Sequence, residues 1–281
     1  MVYDIDNLRF VFFTHQHNIH LVELALKYFF EFNTLEHIKI SVISNNYSDY
    51  STLPFQDKVE YLSGNVEFCS SGTHFSETLK RTLSHIKEDY IFTFCDDYFF
   101  IANTEFDNLK KVVSLIVKED IQYFSFADHY QQEITSNWKP FIQANSTFPD
   151  DQFYFINNDY RYLYSVQPAI WKKNSLYELA STYNFSLHQL DETLPVMKSQ
   201  NKFKCIAKSY KLVSNFSHLV SLSKNYFIIA YCEIVRHGIF FHPTNGFGLG
   251  PNELGVKLIN KLIEEADLIH NSAFKGLLYK W

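Results

Sequence analysis

The chain has 281 residues, of which 46% are hydrophobic and 20% are charged, a composition typical of a packed globular protein and not of a disordered one. Its formal net charge of −6 provides no basic footprint for non-specific nucleic-acid binding. The first residues lack the pattern of a signal peptide, and no run approaches the roughly 18 to 20 apolar residues of a membrane span, so we expect a cytoplasmic protein without stable membrane insertion.

Strands and helices alternate over the first hundred residues. Short apolar runs predict strands, and apolar residues in helical spacing predict helices. The predicted strands are 8–13, 38–43, 66–69 and 90–95, and the predicted helices are 19–32 and 75–86. This alternation predicts an α/β fold with a mostly parallel central sheet flanked by helices. We expect most of the 28 phenylalanines to fill its core.

The second half of the chain is less regular. It contains predicted strands at 121–126, 160–165 and 204–211 and predicted helices at 108–118, 174–182, 187–199 and 253–268. The segment 128–159 has little periodicity. Because no repeat or linker divides the chain, we predict a single domain over 1–281, with a ligand-binding half at about 1–126 and a divergent half at about 127–281.

The four cysteines have no metal-ligand spacing. Cys69 and Cys95 both lie in apolar, strand-like runs, which predicts reduced core residues.

Polar side chains follow the predicted strands where each strand ends. Thr14 follows the first strand, Asn45 the second, and Asp96 and Asp97 the fourth. Ligands of open α/β sheets bind outside the carboxyl ends of the strands. Two adjacent carboxylates disfavour joint ionisation, and a divalent metal that carries a phosphorylated ligand would relieve this conflict. The alternative is that these residues form plain loops, with two solvated acids ending a strand.

Several segments resemble the GT-A type of nucleotide-sugar-dependent glycosyltransferases. The acidic pair after a buried strand, together with the preceding helix at 75–83, resembles the metal-binding turn of that fold. The segments 165–173 (SVQPAIWKK) and 233–238 (EIVRHG) resemble a little-studied group of microbial and viral members. The resemblance extends from about Phe10 to Gly238 and says little about the substrate.

The resemblance implies a Rossmann-like GT-A domain, with the nucleotide-sugar-binding half at about 1–126 and the acceptor side at about 127–281. It implies that Mn²⁺ or Mg²⁺ bridges the donor diphosphate to Asp97, while Asp96 contacts the ribose or a metal-bound water. Family members commonly have Asp-x-Asp at this turn, whereas Cys95 occupies the first position here. Hard Mg²⁺ would not recruit this thiol.

Further roles follow from the same resemblance. Asp191 or Glu192 is the expected general base, with His188 as an alternative. His242 is the expected additional metal ligand, preferred over His237.

Donor contacts are expected elsewhere in the chain. Arg236 would contact the diphosphate with its guanidinium. Thr14, His15, His17 and Asn45 would line the nucleobase or the pyrophosphate. Trp171 is either a core anchor or part of the sugar pocket.

The expected activity is that of a metal-dependent hexosyl- or pentosyltransferase. It would move a sugar from a nucleotide-sugar donor, for which UDP is the expected nucleotide. The acceptor would be a hydroxyl of a glycan or, alternatively, of a hydroxymethylated DNA base. A viral member would act in the host cytoplasm. The competing hypothesis is a non-catalytic carbohydrate-binding or assembly protein that keeps the fold. Other enzyme classes lack their motifs, since there is no Gly-x-Gly-x-x-Gly after the first strand, no P-loop and no Gly-x-Ser-x-Gly. The stereochemical outcome and the oligomeric state stay open.

Overall fold

A computed structural model describes thirteen stretches of the chain: 5–16, 18–33, 38–47, 53–69, 71–96, 98–100, 104, 106–129, 152–164, 168–209, 231–233, 235–236 and 239–240. Two compact units are distinguished. The first contains residues 1–19, 35–95 and 110–211, and the second contains residues 20–34, 96–109 and 212–281. The expected single domain over 1–281 stays a prediction.

An eight-stranded sheet forms the centre of the first unit. Its strands are β1 (Leu8–Thr14), β2 (Lys39–Ser44), β3 (Val59–Ser63), β4 (Tyr90–Cys95), β6 (Tyr123–His129), β7 (Gln152–Phe155), β8 (Ala169–Lys172) and β9 (Cys205–Ser209). They lie in the order β3-β2-β1-β4-β8-β6-β9-β7. The strands β8 and β7 are antiparallel to their neighbours, whereas the other pairings are parallel. The predicted α/β class with a mostly parallel sheet is therefore confirmed.

The described part of the chain contains six helices. They are α1 (Ile19–Phe32), α2 (His74–Thr82), α3 (Phe106–Lys118), α4 (Lys173–Thr182), α5 (Leu187–Glu192) and α6 (Pro195–Ser199). Short 3-10 turns lie at Ile5–Asn7 and Leu83–His85. None of these helices combines the length and the apolar character needed to span a membrane.

Aromatic rings fill one face of the sheet in the first unit. The Phe92 ring lies 5.2 Å from Phe10, 4.6 Å from Phe94 and 4.9 Å from Phe126, as measured between centroids. All four side chains are buried. Because side chains alternate between faces along a strand, these rings come from alternate positions of β1, β4 and β6. These phenylalanines lie in the core as expected, and the expectation for most of the 28 phenylalanines stays a prediction.

The opposite face packs a different set of apolar side chains. Val11 and Ile91 point to this side of the sheet, where they join Leu79 of α2 and Leu176 of α4 in one buried cluster. Such burial stabilises the fold by about 1.5 to 3 kcal/mol for each large side chain. It fixes α2 against the sheet and thereby fixes the loop that precedes this helix.

The described parts of the second unit contain most of α1 and two small antiparallel strand pairs. The strands β5 (Tyr98–Phe100) and β10 (Tyr231–Glu233) pair with each other, and β11 (Val235–Arg236) pairs with β12 (Ile239–Phe240). Within this unit the rings of Phe29 and Phe100 make an edge-to-face contact at 4.9 Å.

Two predicted strands are wrong. The third strand was expected at 66–69, but it lies at Val59–Ser63, and 66–69 is a loop. Residues 160–164 of the predicted strand 160–165 form turns. The predicted helix 187–199 is interrupted, because Thr193 has a φ of 44° and Pro195 begins a new helix. The predicted helix 253–268 lies outside the described residues.

Candidate functional site

The carboxyl ends of the parallel strands lie at one edge of the sheet in the first unit. Thr14, Ser44 and Ser63 are aligned across β1, β2 and β3. On the other side of β1, Phe13 pairs with Cys95 at the end of β4. The polar residues expected after the first two strands are thus brought to one edge, which we call the carboxyl edge.

Asn45 connects three segments of the carboxyl edge. Its side-chain Oδ1 accepts a 2.9 Å hydrogen bond from the Gln16 backbone N–H, and its Nδ2 donates to Gln16 Oε1 at 2.9 Å and to the Val66 carbonyl at 3.1 Å. The Val66 N–H returns a 2.9 Å bond to the Asn45 carbonyl. Only 3% of Asn45 is exposed. Its described bonds therefore hold the loops after β1, β2 and β3 together.

Three rings meet at the same edge. The His15 ring lies 5.3 Å from Phe68 and 5.5 Å from His74, and Phe68 lies 5.2 Å from His74. Phe68 is 57% exposed, which is unusual for a large apolar ring. Phe68 and His74 were missed by the sequence reasoning. Together with His15, one of the predicted donor contacts, they form a cluster of three rings in mutual contact.

A polar cluster surrounds Cys69 next to these rings. The Cys69 sulfur lies 3.4 Å from Ser71 Oγ, 3.4 Å from Thr73 Oγ1 and 3.6 Å from His74 Nδ1. Hydrogen bonds from Ser71, Thr73 and His74 lower the pKa of the Cys69 thiol from 9.0 to about 6. The prediction that Cys69 is a core residue is wrong, because the loop leaves it partly exposed, whereas Cys95 is buried as expected.

A close contact with α5 fixes the conformation of this loop. Gly72 has a φ of 73°, and a Cβ built there would lie 2.5 Å from Ser186 Cβ. The Ser76 N–H donates to the Phe185 carbonyl at 3.3 Å, and the Phe185 N–H donates to Ser76 Oγ at 3.2 Å. Ser186 then caps α5 in a capping box with Gln189. The start of α5 is therefore held against the start of α2.

The two candidate bases lie in the last turn of α5. Glu192 is exposed and forms an ion pair with Arg161. This hydrogen-bonded pair raises the pKa of the Arg161 guanidinium. Asp191 is partly buried, whereas His188 is exposed. Which of these residues acts as a base stays a prediction.

Asp96 directly follows β4 and is 9% exposed. The other predicted metal ligands, Asp97 and His242, lie outside the described residues, as does His17. Arg236 lies in β11, and its side chain also lies outside the description. Within the described ranges, no group of three or more His, Cys, Asp or Glu side chains is placed to hold a metal. The carboxylates nonetheless suit a hard divalent cation by their chemistry.

Trp171 lies in the core. It is 2% exposed, and its ring contacts Tyr123 at 4.5 Å and Tyr164 at 5.2 Å. This placement agrees with the core-anchor interpretation of Trp171.

The amino-terminal edge of the sheet carries a groove of about 350 Å³. Its lining residues are Asp6, Asn7, Lys39, Lys87, Glu88, Val113 and Val117. Glu88, which is 4% exposed, pairs with Arg9 at 2.7 Å and with Lys39 at 2.8 Å. Burial alone would raise the pKa of Glu88, but the hydrogen bonds from Arg9 and Lys39 outweigh it and lower the pKa to about 2. This network connects Glu88 to β1 and β2, which is a structural role. We therefore place the candidate site at the carboxyl edge and not in this groove.

Comparisons with known proteins give structural similarities at low sequence identity. No family model matches the chain, and no curated protein matches it. Among solved structures, an active-site mutant (Q189E) of LgtC aligns with a TM-score of 0.47 at 8% identity, covering 92% of this chain and 95% of that one. A cytidylyltransferase from Leptospira borgpetersenii aligns with a TM-score of 0.45 at 9% identity, covering 98% and 99%. The mannosyltransferase PcManGT from Pyrobaculum calidifontis, in complex with GDP-Man and Mn²⁺, aligns with a TM-score of 0.42 at 10% identity, covering 95% and 72%. These similarities assign the chain neither to a family nor to an activity.

Proposed function

We propose that the chain is a metal-dependent glycosyltransferase that binds a nucleotide sugar at the carboxyl edge. The observation that carries this proposal is the reversal of strand order between β1 and β4. From β1 the chain adds β2 and β3 on one side and then crosses to β4 on the other side. In open α/β sheets, ligands bind outside the carboxyl ends of the strands at such a reversal.

The residues that follow these two strands suit a nucleotide diphosphate and its metal. His15 follows β1, and Asp96 and Asp97 follow β4 in the sequence. Carboxylate oxygens are ligands that Mg²⁺ and Mn²⁺ favour, and a divalent ion neutralises a diphosphate leaving group. We assign metal binding to Asp97 and His242, and a ribose or metal-bound water contact to Asp96.

The position of α5 supports an acidic group on the acceptor side. The helix starts against Gly72 in the loop after β3, at the edge proposed for the donor. We assign the general base to Asp191, which is partly buried, in preference to Glu192, which is exposed. Arg236 is assigned to the departing diphosphate.

Calorimetric titration of UDP with and without Mn²⁺ tests the donor site. We expect binding that requires the metal and that is lost in Asp97→Ala, with Asp57→Ala as a matched control because Asp57 is an exposed acid elsewhere. Equal binding by wild type and Asp97→Ala would remove Asp97 from the site. Absence of UDP binding, followed by a thermal-shift panel of other nucleotide sugars without a stabilised case, would refute the proposal.

A donor identified in this way allows a test of the base. Asp191→Asn should slow transfer at least about a hundredfold, because general-base catalysis contributes roughly 10² to 10⁴, while leaving donor binding within about twofold. Glu192→Gln is the matched control and should retain most of the rate. Equal loss of binding and transfer in Asp191→Asn would make the residue structural.

Cys95 supports the second candidate, a non-catalytic carbohydrate-binding or assembly protein. Its buried thiol occupies the place of the first acid of Asp-x-Asp. Saccharide binding without metal-dependent nucleotide binding would favour this function.

If the chain is the enzyme, we propose that the acceptor is a glycan hydroxyl. A hydroxymethylated DNA base is the alternative acceptor to test.

A further inference from the structure

The loop between β3 and α2 contains a nucleophile paired with an imidazole. Cys69 lies 3.6 Å from His74 Nδ1, and hydroxyls of Ser71 and Thr73 lie 3.4 Å from its sulfur. The His74 backbone, at the start of α2, also contributes to lowering the pKa of this thiol. These groups stabilise an anionic sulfur, because each can donate a hydrogen bond to it.

Among the described residues, the two carboxylates next to this loop in sequence are already engaged. Glu67 accepts a 3.0 Å hydrogen bond from Asn46, and Glu77 forms ion pairs with Lys80 and Arg81. The His15 ring faces His74 from the end of β1. The His74 imidazole and the hydroxyls of Ser71 and Thr73 are thus the side-chain groups shown in contact with the Cys69 sulfur.

The loop holds these groups in place before any reaction. Gly72 has a positive φ and contacts Ser186, and the Gly72 N–H donates to the Cys69 carbonyl at 2.9 Å. The Thr73 side chain makes no capping bond to α2, although Thr73 occupies the capping position. Its hydroxyl contacts the Cys69 sulfur and the Ser71 hydroxyl instead.

We propose that the Cys69–His74 pair is a modification site that takes up low-molecular-weight disulfides and that the adduct closes the carboxyl edge to nucleotides. The Cys69 thiolate attacks one sulfur of the disulfide, and a new sulfur–sulfur bond forms while the original one breaks. The displaced thiolate leaves with the electron pair and takes a proton from water. Closure of the edge is inferred because Phe68, next to Cys69, contacts His15 there. This closure rests on the proposed function, since it assumes that nucleotides bind at the carboxyl edge.

The other cysteines in the first unit do not offer the same chemistry. Cys95 and Cys205 are buried, and burial raises the pKa of the Cys205 thiol to about 12. A disulfide reagent should therefore label Cys69 in preference to both in the folded protein.

The pH dependence of labelling gives the sharpest test. A thiol with a pKa of about 6 is about 9% ionised at pH 5, against about 0.01% for a thiol at 9.0. A thiolate of lower pKa is a weaker nucleophile, which reduces the gain from the larger ionised fraction by about twentyfold. Cys69 should therefore react about fortyfold faster than an ordinary thiol at pH 5 and about fourfold faster at pH 7.

The experiment measures thiopyridone release from 4,4′-dithiodipyridine by the folded full chain between pH 4.5 and 9. Rates are divided by those of free glutathione at each pH, and peptide mapping identifies the modified cysteine. Cys69→Ser should abolish the fast phase. Ser71→Ala should slow labelling about threefold at pH 5, because the lost hydrogen bond outweighs the gain in nucleophilicity. Ser84→Ala, an exposed serine elsewhere on the surface, is the matched control and should leave the rate unchanged.

His74→Gln tests the role of the imidazole and should move the midpoint of the rate profile upward. A midpoint near 9 in wild type, or modification mapped to another cysteine, would overturn the proposal. Circular dichroism of each variant shows whether a lost fast phase reflects loss of the fold. If Cys69→Ser or His74→Gln does not fold, the labelling rate of Ser71→Ala tests the proposal, because Ser71 is exposed and its substitution should leave the fold intact.

Titration of UDP and Mn²⁺ into the glutathione adduct tests closure. We expect at least a tenfold loss of affinity that dithiothreitol reverses, whereas unchanged affinity would overturn the closure. If unmodified protein binds no nucleotide but Cys69 labels as described, the proposed function fails and the modification site stands.

Discussion

Glu88 links the fold to pH through its bonds with Arg9 and Lys39. Its pKa is lowered from 4.5 to about 2 in the folded protein, against the opposing effect of burial. A group whose pKa is lower in the folded than in the unfolded state stabilises the fold fully at pH values above its unfolded-state pKa. This stabilisation is lost as the pH falls toward the folded-state pKa. The stabilisation by Glu88 is thus present at neutral pH and declines between about pH 5 and pH 2.

The magnitude follows from the difference in pKa. The interval from 4.5 to about 2 corresponds to about 3 kcal/mol at about 1.4 kcal/mol per pKa unit. Because Lys39 is 51% exposed, solvent screening reduces the contribution to about 2 kcal/mol. Linkage leaves less than half of this contribution at pH 3.

Urea denaturation of wild type and Glu88→Gln at pH 3, 5 and 7 measures the effect. We expect the variant to be less stable by about 2 kcal/mol at pH 7 and by less than 1 kcal/mol at pH 3. Glu67→Gln replaces an exposed acid and should change stability by less than about 0.5 kcal/mol. A difference between wild type and Glu88→Gln that stays constant from pH 3 to pH 7 would refute the reasoning.

Three other substitutions probe the core and the carboxyl edge. Asn45→Ala should destabilise the fold by about 2 kcal/mol in urea and weaken UDP binding, because it leaves buried backbone groups of two loops without their partner. Gly72→Ala should cost at least about 1 kcal/mol, since its φ is positive and its Cβ would meet Ser186 at 2.5 Å. Trp171→Ala should cost about 3 to 5 kcal/mol of unfolding free energy through the cavity it leaves.

Each of these outcomes has a clear contrary. Unchanged stability with lost UDP binding in Asn45→Ala would make Asn45 a direct ligand contact. A wild-type melting temperature for Gly72→Ala would show that the loop adapts. Trp171→Phe is the conservative control, and selective loss of UDP binding in that variant would assign the ring to the sugar pocket.

Continuous apolar runs made the centre of the sheet predictable. The strand over Tyr90–Cys95 and the helix over Ile19–Phe32 were predicted with the observed bounds, because burial on both faces and helical spacing leave strong patterns. β3 was misplaced, because its sequence Val-Glu-Tyr-Leu-Ser is short and partly polar, whereas the apolar residues at 66–69 form a loop. The interruption at Pro195 had a visible signal in the proline itself.

The candidate site was only partly predictable. His15 and Asn45 were predicted because they follow strands. Phe68, Cys69 and His74 come together only through a loop whose shape depends on a contact between Gly72 and α5, which is distant in sequence. No local pattern records such a contact.

The direction of β8 has a consequence for how this protein can diversify. β8 is antiparallel to β4, with Ala169 opposite Thr93 and Lys172 opposite Tyr90, so the chain that precedes Ala169 enters the sheet from the carboxyl edge. Pro168, which ends that approach, is anchored by a 2.9 Å bond from the Phe126 N–H. Under the proposed function, an insertion directly before Pro168 would enter at the edge that binds the ligand, whereas the aromatic rings of β4 lie within the sheet, so selectivity and stability can evolve at separate positions.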